Sequence, residues 1–416
     1  MRSLLDIFAQ TLRTLWAHKL RSFLTMFGIA WGVGSLLMLV GLGEGWRSGN
    51  QKQLNEIGES IMFIFPGRVP PVAGSHMGMK PYWLTYRDVE DIRREASHVD
   101  RVSPVIQRQD VKVVSQYQSA GGQIFGIQPV YNQIRYLPIG GGRWLNELDE
   151  QQKRHVAFVG WEMRKNLFPG RPVLGETILL NGVRFDVIGF MDQVGRDENN
   201  GTNVRVFIPY SAMAELFPMK QNDIPIDSVS FINFHPVTKD DHLLASQEVR
   251  HIIARNHGFD EKNEDAFEDW DTIQSAQTVG KIFDAMNSFL GSVGLVTLAL
   301  GAVGVVNIML VSVTERTKEI GLRKALGATN RNIMSQFFIE GAFLTLLSGG
   351  IGIGLAGGFM GLLGMLPAPQ GFDLPHLVPW SIALAVGTLS VAGTIAGMYP
   401  ARQAALLTPV EALRKD

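Results

Sequence analysis

The sequence predicts an integral membrane α-helical protein with four transmembrane helices and a mixed α+β extracytoplasmic domain. Three observations predict it: four long apolar runs without charge, a soluble-type stretch between the first two, and basic residues gathered at particular ends of the runs. A helix needs about 20 apolar residues to cross the hydrocarbon core. Residues 23–42, 289–313, 341–366 and 380–399 contain no Asp, Glu, Lys or Arg, and buried helices of soluble proteins rarely run so far without one. Hydrophobic residues make up 46% of the 416 positions, concentrated in these blocks, while a net charge of −1 gives no pull toward nucleic acid. The absence of cysteine excludes disulfides, thiolate metal sites and a cysteine nucleophile.

Taken in order, residues 1–21 place Leu5, Phe8, Leu12, Leu15 and Trp16 at helical spacing among Arg2, Arg13 and Lys19, the pattern of an amphipathic helix in the cytoplasmic interface. The first span, 22–43, is longer than a signal-peptide core, and Gly43-Glu44-Gly45-Trp46 offers no cleavage site, so it reads as a retained anchor. Residues 44–288 are the extracytoplasmic domain with its flanking helices, 289–313 the second span and 314–333 a cytoplasmic loop. Residues 334–366 are the third span, 367–379 a short outer connection, 380–400 the fourth span and 401–416 a cytoplasmic tail. Orientation follows from the positive excess on cytoplasmic flanks. Arg2, Arg13, Lys19 and Arg21 precede span one, Arg316, Lys318, Arg323, Lys324 and Arg331 separate spans two and three, and Arg402, Arg414 and Lys415 follow span four. The connection at 367–379 has neither Lys nor Arg. Gly28 and Gly32, then Gly350, Gly354 and Gly358, and finally Gly393 and Gly397 repeat every fourth residue, which predicts close helix packing. No Asp, Glu, Lys, Arg or His lies within the runs, which disfavours a proton relay or ion path.

Within the soluble stretch, Ile61 to Phe65 reads as a strand ending at Pro66-Gly67, and Thr85 with Asp88 opens a polar helix over 86–96. Strands are predicted at 111–114, 123–127, 155–159, 177–180, 185–190, 203–208 and 229–234, with Asn181-Gly182 as a hairpin turn. A long loop is expected at 192–202, and a helix at 242–256 leading to the acidic run 260–271. Catalytic signatures are missing: there is no H-E-x-x-H, no G-x-S-x-G and no EF-hand spacing, so the nine histidines read as surface residues and the acidic run as a solvated face.

Between spans two and three, the helix formers and alternating charges of Ser312 to Thr329 predict a short amphipathic helix stopped near Gly327. Glu315, Arg316, Lys318, Glu319, Gly321, Arg323, Lys324 and Gly327 carry this pattern. The segment, continued by Gln336-Phe337-Phe338-Ile339-Glu340, resembles the signature of FtsX-like ABC permease domains. Tyr399-Pro400-Ala401-Arg402 with Pro409-Val410-Glu411-Ala412 resembles the same family's C-terminal motif. Arg21 to Ile29, Gly41 to Gly45, Gly142-Arg143-Trp144, Leu167 to Gly170 and Val173-Leu174-Gly175 resemble its macrolide-exporter, MacB-like branch with a periplasmic core domain.

This resemblance implies a homodimeric permease of the bacterial inner membrane, both termini cytoplasmic, whose second loop binds an ABC ATPase. It implies stalk helices, at 45–58 and 271–288 here, that relay ATP-driven motion to the periplasmic domain. A periplasmic adaptor and an outer-membrane channel are the further expected partners, alongside membrane lipid. No G-x-x-x-x-G-K-[ST] phosphate loop occurs, so ATP and Mg are expected on a separate ATPase chain and no cofactor on this one. Efflux is the expected direction; a lipoprotein-releasing permease and an activator of a cell-wall hydrolase share the layout.

Overall fold

The computed structural model describes residues 19–58, 60–70, 78–195, 201–219, 224–369 and 371–406. The expected interfacial helix at 1–21 therefore lies almost wholly outside the described residues, as do Pro409 to Arg414 and the middle of the 192–202 loop. The chain divides into two compact units, one formed by Met1–Asn50 with Gly280–Asp416 and the other by Gln51–Val279.

In chain order, α1 (Lys19–Ile57) leads to β1 (Met62–Pro66), β2 (Arg68–Val69), β3 (Lys80–Pro81), α2 (Tyr86–Glu95), β4 (Val99–Arg108), β5 (Val113–Ser115), β6 (Ser119–Ala120) and β7 (Gln123–Ile127). There follow α3 (Tyr131–Ile134), β8 (Ile139–Gly142), α4 (Glu147–Gln151), β9 (Val156–Val159), α5 (Trp161–Leu167), β10 (Thr177–Leu180), β11 (Val183–Met191), β12 (Arg205–Pro209) and α6 (Tyr210–Leu216). The chain then forms β13 (Phe231–Pro236), α7 (His242–His257), β14 (Phe267–Asp271), α8 (Thr272–Glu315), α9 (Thr317–Ala325), α10 (Asn330–Leu363) and α11 (Pro379–Leu406).

In the α/β unit, one mixed sheet runs β14-β1-β13-β4-β7-β12-β9-β11-β10-β5-β6, with β8 on β11. Alternate residues feed two cores, because successive side chains of a strand point to opposite faces. Met62, Ile64, Ile232 and Phe234 join one buried cluster and Phe63, Val105, Phe125 and Phe231 the other. Burial on both faces is why these strands appear in the sequence as continuous apolar runs. The Asn181-Gly182 turn closes β10 on β11 with φ of 45° and 89°, the left-handed pair a two-residue hairpin requires. Asp88 caps α2 by accepting the Thr85 N–H at 2.8 Å. At the long loop, the fully buried Asn203 clamps both sides of Val194, accepting its N–H at 2.9 Å and donating to its carbonyl at 3.0 Å.

β4, which the sequence reading leaves out, is a ten-residue central strand. Pro104 hides it, since proline is excluded from most strand interiors. It is accommodated because pairing with β7 starts only at Val105, so Pro104 has a strand partner on the β13 side alone. The acidic run keeps its expected solvated face, with Asp260, Glu261, Glu264, Asp265, Glu268 and Asp269 exposed, yet it also carries structure. Ala266 and Phe267 are buried, and Phe267–Asp271 is the edge strand β14 on β1.

In the other unit, α1, α8, α10 and α11 are each long and apolar enough to cross a membrane. At 39 and 44 residues, α1 and α8 would extend about 58 and 66 Å, roughly twice the hydrocarbon thickness. The glycine stripes are redistributed relative to the sequence reading. Gly32 meets Leu298, Gly393 meets Thr345, and Gly397 meets Phe338, but a Cβ at Gly28, Gly350, Gly354 or Gly358 would touch nothing within 4 Å. The close approaches of α10 use Gly352, where a methyl would lie 2.6 Å from the Ala30 carbonyl, and Gly349 against Leu389. Four-residue spacing marks a face without saying which of two neighbouring faces meets a partner helix.

Candidate functional site

The loop between α8 and α10 is built by a helix break and a helical stop. At Arg316 the backbone leaves helical geometry (φ −102°, ψ 14°), and α9 restarts at Thr317, whose hydroxyl donates to the Thr314 carbonyl at 2.8 Å. Thr317, Ile320 and Gly321 recur at i, i+3 and i+4 and are buried, with Ile320 in the same apolar cluster as Val313, Ile333 and Phe337. Gly327 ends the helix at φ +95°, and Thr329 caps α10 by accepting the Asn332 N–H.

A polar ladder fastens α9 to its neighbours. Arg316 Nη1 donates to both carboxylate oxygens of Glu340, at 3.2 and 3.3 Å, and Glu340 is 4% exposed. Gln336 donates to Glu340 at 3.3 Å and accepts from Arg323 at 2.7 Å; Arg323 also binds Glu319. Lys324 Nζ donates to the Ala405 carbonyl at the end of α11. Arg316, Arg323 and Lys324, which the sequence reading places in the alternating-charge pattern of the loop helix, are thus tied to the chain itself. The outward face carries Glu315, Lys318 and Glu319 together with Leu322, 55% exposed, and Leu326, 81% exposed. Those leucines and the buried Glu340 are what the charge pattern alone misses. Their signal was an apolar i, i+4 pair on the polar side of an amphipathic helix.

His155, His251 and His376 are exposed as expected, but two other histidines are engaged within the fold. In the α/β unit, His242 is 6% exposed and its Nδ1 lies 2.5 Å from Asp271, while His257 Nε2 lies 2.8 Å from Asp88. Burial pushes the Asp88 carboxyl up, but bonds from His257, Asn256 and the Thr85 N–H outweigh it and hold the group below its ordinary range. Asp271 also accepts the N–H groups of Ile273 and Gln274 at 2.7 and 3.1 Å, capping α8, and Thr272 bonds the Ile61 carbonyl at 2.8 Å. The acidic run therefore roots α8 in the sheet. A cavity of about 290 Å³ lined in part by Arg93, Arg101, Gln128, Glu147 and Glu150 carries charges of both signs. Among the described residues, no group of His, Asp and Glu converges to hold a metal ion.

The family model of the MacB-like periplasmic core domain matches residues 22–250, and that of the FtsX-like permease C-terminal region matches 291–409. A relative from Bacillus subtilis described as the uncharacterized ABC transporter permease YknZ is 30% identical over 417 residues, covering 100% of both chains. The macrolide export ATP-binding/permease protein MacB of Bdellovibrio bacteriovorus is 30% identical over 418 residues, covering 100% of this chain and 62% of that one. This chain thus spans about three-fifths of the length of such MacB relatives. Among solved structures, the periplasmic region of MacB from Actinobacillus actinomycetemcomitans matches 55% of this chain and 95% of its own, at 20% identity and a TM-score of 0.43.

Proposed function

This chain belongs to the family of ABC transporter permeases that join a MacB-like periplasmic core domain to an FtsX-like permease region, and on that premise we propose that it couples ATP hydrolysis by a partner ATPase to motion of the periplasmic domain, driving export. The carrying observation is α9. It presents Leu322 and Leu326 outward beside Lys318 and Glu319, while its inner face and the Glu319–Arg323–Gln336–Glu340–Arg316 ladder fix it to α10. Exposed leucines rimmed by charge have the composition of a docking surface for another protein. A partner pressing there would displace α9 together with α10 instead of bending a free loop.

In this reading the ATPase is a separate chain, which the absence of a G-x-x-x-x-G-K-[ST] phosphate loop from these 416 residues supports. The relative matched over its whole length is named a permease, whereas the longer relatives are named ATP-binding/permease proteins. ATP and Mg would be held there. In this reading two copies assemble in the inner membrane with both termini cytoplasmic, as the Lys and Arg distribution supports. A periplasmic adaptor and an outer-membrane channel complete the export path.

The test is affinity isolation of the tagged chain from native membranes. A co-purifying ATPase with an adaptor is the expected result, and replacing Leu322 and Leu326 by Glu should release the ATPase while the chain stays inserted. Isolation without any ATPase, or undiminished capture by the double variant, refutes the docking role.

A further inference from the structure

Gly41, Gly45 and Gly49 stand one turn apart on α1, and the chain returning from α10 to α11 lies directly on them. A methyl at Gly41 would sit 2.8 Å from the His376 carbonyl, one at Gly45 would sit 2.7 Å from the Asp373 carbonyl, and one at Gly49 would collide with that of Gly371. The contacts ascend α1 as they descend the connection, so a short stretch of backbone runs antiparallel along the helix. Hydrogen bonds fix this register. The Asp373 N–H donates to the Gly45 carbonyl at 2.8 Å, Ser48 Oγ donates to Asp373 Oδ2 at 2.9 Å, and Asn50 Nδ2 donates to the Gly371 carbonyl at 3.4 Å.

Small residues at four-residue spacing usually let two helices meet. Here the partner is non-helical backbone, and at all three positions a Cβ would fall against a carbonyl oxygen of the connection. Any side chain at Gly45 or Gly49 would lift the segment off. At the same level, α1 meets α8 through Trp46 against Phe283, with ring centroids 5.2 Å apart, and through an exposed Arg47–Asp284 pair at 3.4 Å. An exposed pair of that kind contributes little.

We propose that residues 371–376 are a permanent strap fastening the α10–α11 pair to the outer end of α1, so that a displacement delivered at α9 passes along α10 and through the strap into α1. Helix α1 continues from this seat to Ile57 without a break, which lets it act as the receiving lever. The transmission role rests on the permease reading above; the seating stands on geometry alone.

The chain has no cysteine, so Ser48→Cys with Asp373→Cys introduces a single thiol pair at the seat. In native membranes, where the chain meets its own ATPase, the oxidised pair is expected to crosslink equally with and without ATP and to leave permease-stimulated ATPase activity within about twofold of the parent. Gly49→Val is expected to speed amide exchange at Asp373 by about tenfold and to lower the stimulation by about tenfold. If that variant does not accumulate, Ser48→Ala combined with Asp373→Ala should give both changes in milder form. Loss of the crosslink on adding ATP, loss of activity on locking the strap, or full stimulation with a demonstrably unseated strap would each overturn the proposal. A parent chain with no ATP response at all instead defeats the permease reading and the transmission role with it, while crosslinking and exchange still decide the seating.

Discussion

Replacing Glu150 by Gln should flatten the pH dependence of the α/β domain. Glu150 Oε1 accepts the Ser211 N–H at 3.0 Å, but Oε2 is buried without a hydrogen-bond partner. Burial is the dominant cause that raises this carboxyl from 4.5 to about 7, against the Ser211 and Tyr210 N–H groups, which favour the carboxylate. Between those two values the folded chain holds a proton that the unfolded chain releases. Stability from this group is therefore complete below about pH 4.5, falls as pH rises toward 7, and levels off above it. The full difference is at most about 3 kcal/mol, which water reaching the rim of the site reduces to roughly 1–2 kcal/mol. At roughly 2–4 °C per kcal/mol for a domain of this size, the variant should melt a few degrees higher than the parent at pH 8 and gain little at pH 5. Thermal unfolding of the full chain in detergent, with amide exchange in α4 and α6 to identify the domain, measures this. Equal pH slopes in parent and variant would refute the argument that ionising Glu150 is what weakens the domain.

Three further outcomes are expected. Asp88→Ala removes the α2 cap and the acceptor of His257, with a loss of about 1–3 kcal/mol at neutral pH. Because the Asp88 carboxyl is depressed in the folded state, its contribution is present above the unfolded value and lost as pH falls through the folded one, so parent and variant melting temperatures should converge in acid. Glu340→Ala takes the carboxylate from a largely buried Arg316 and should cost about 3–5 kcal/mol, seen as reduced accumulation of folded chain, with Arg316→Met in the same chain recovering part of the loss. Gly352→Ala drives a methyl into the Ala30 carbonyl and should destabilise the membrane unit, whereas Gly354→Ala, with open space, should be neutral or stabilise it by up to about 1 kcal/mol in detergent melting.

What the sequence reveals and what it hides divide along physical lines. A run of apolar residues, an Asn-Gly turn or a Thr–Asp cap is local, and each is legible because the interaction that enforces it lies within a few residues. β4 escaped because Pro104 is tolerable only when the partner strand beyond it starts one residue later, a fact about β7. The role of His242 escaped for the same reason. Its partner, Asp271, is 29 residues away, and spacing alone makes both look like solvated charges. The loop motif marks the segment that forms α9, yet it could not sort positions into those that hold α9 and those that face outward. Arg323 and Glu319 have the same exposed look in a helical wheel until Gln336 is brought beneath them.

That sorting changes what a functional site means in this protein. The charged residues most conspicuous in the sequence are spent on the chain's own architecture: Arg316 on Glu340, Arg323 on Gln336, Lys324 on the end of α11. A docking helix must resist the load placed on it, and one held only by its flanking turns would absorb a push by rotating. With its basic side chains anchored inward, α9 can expose leucines that would otherwise favour collapse onto the bundle. The connection that leaves α10 is fastened as well, with Asp373 and Gly371 seated by backbone contact on Gly45 and Gly49 of α1. A helix held in this way transmits displacement along its axis, so on the proposed coupling, loosening either attachment should lower ATPase stimulation without altering how tightly the proposed ATPase partner binds.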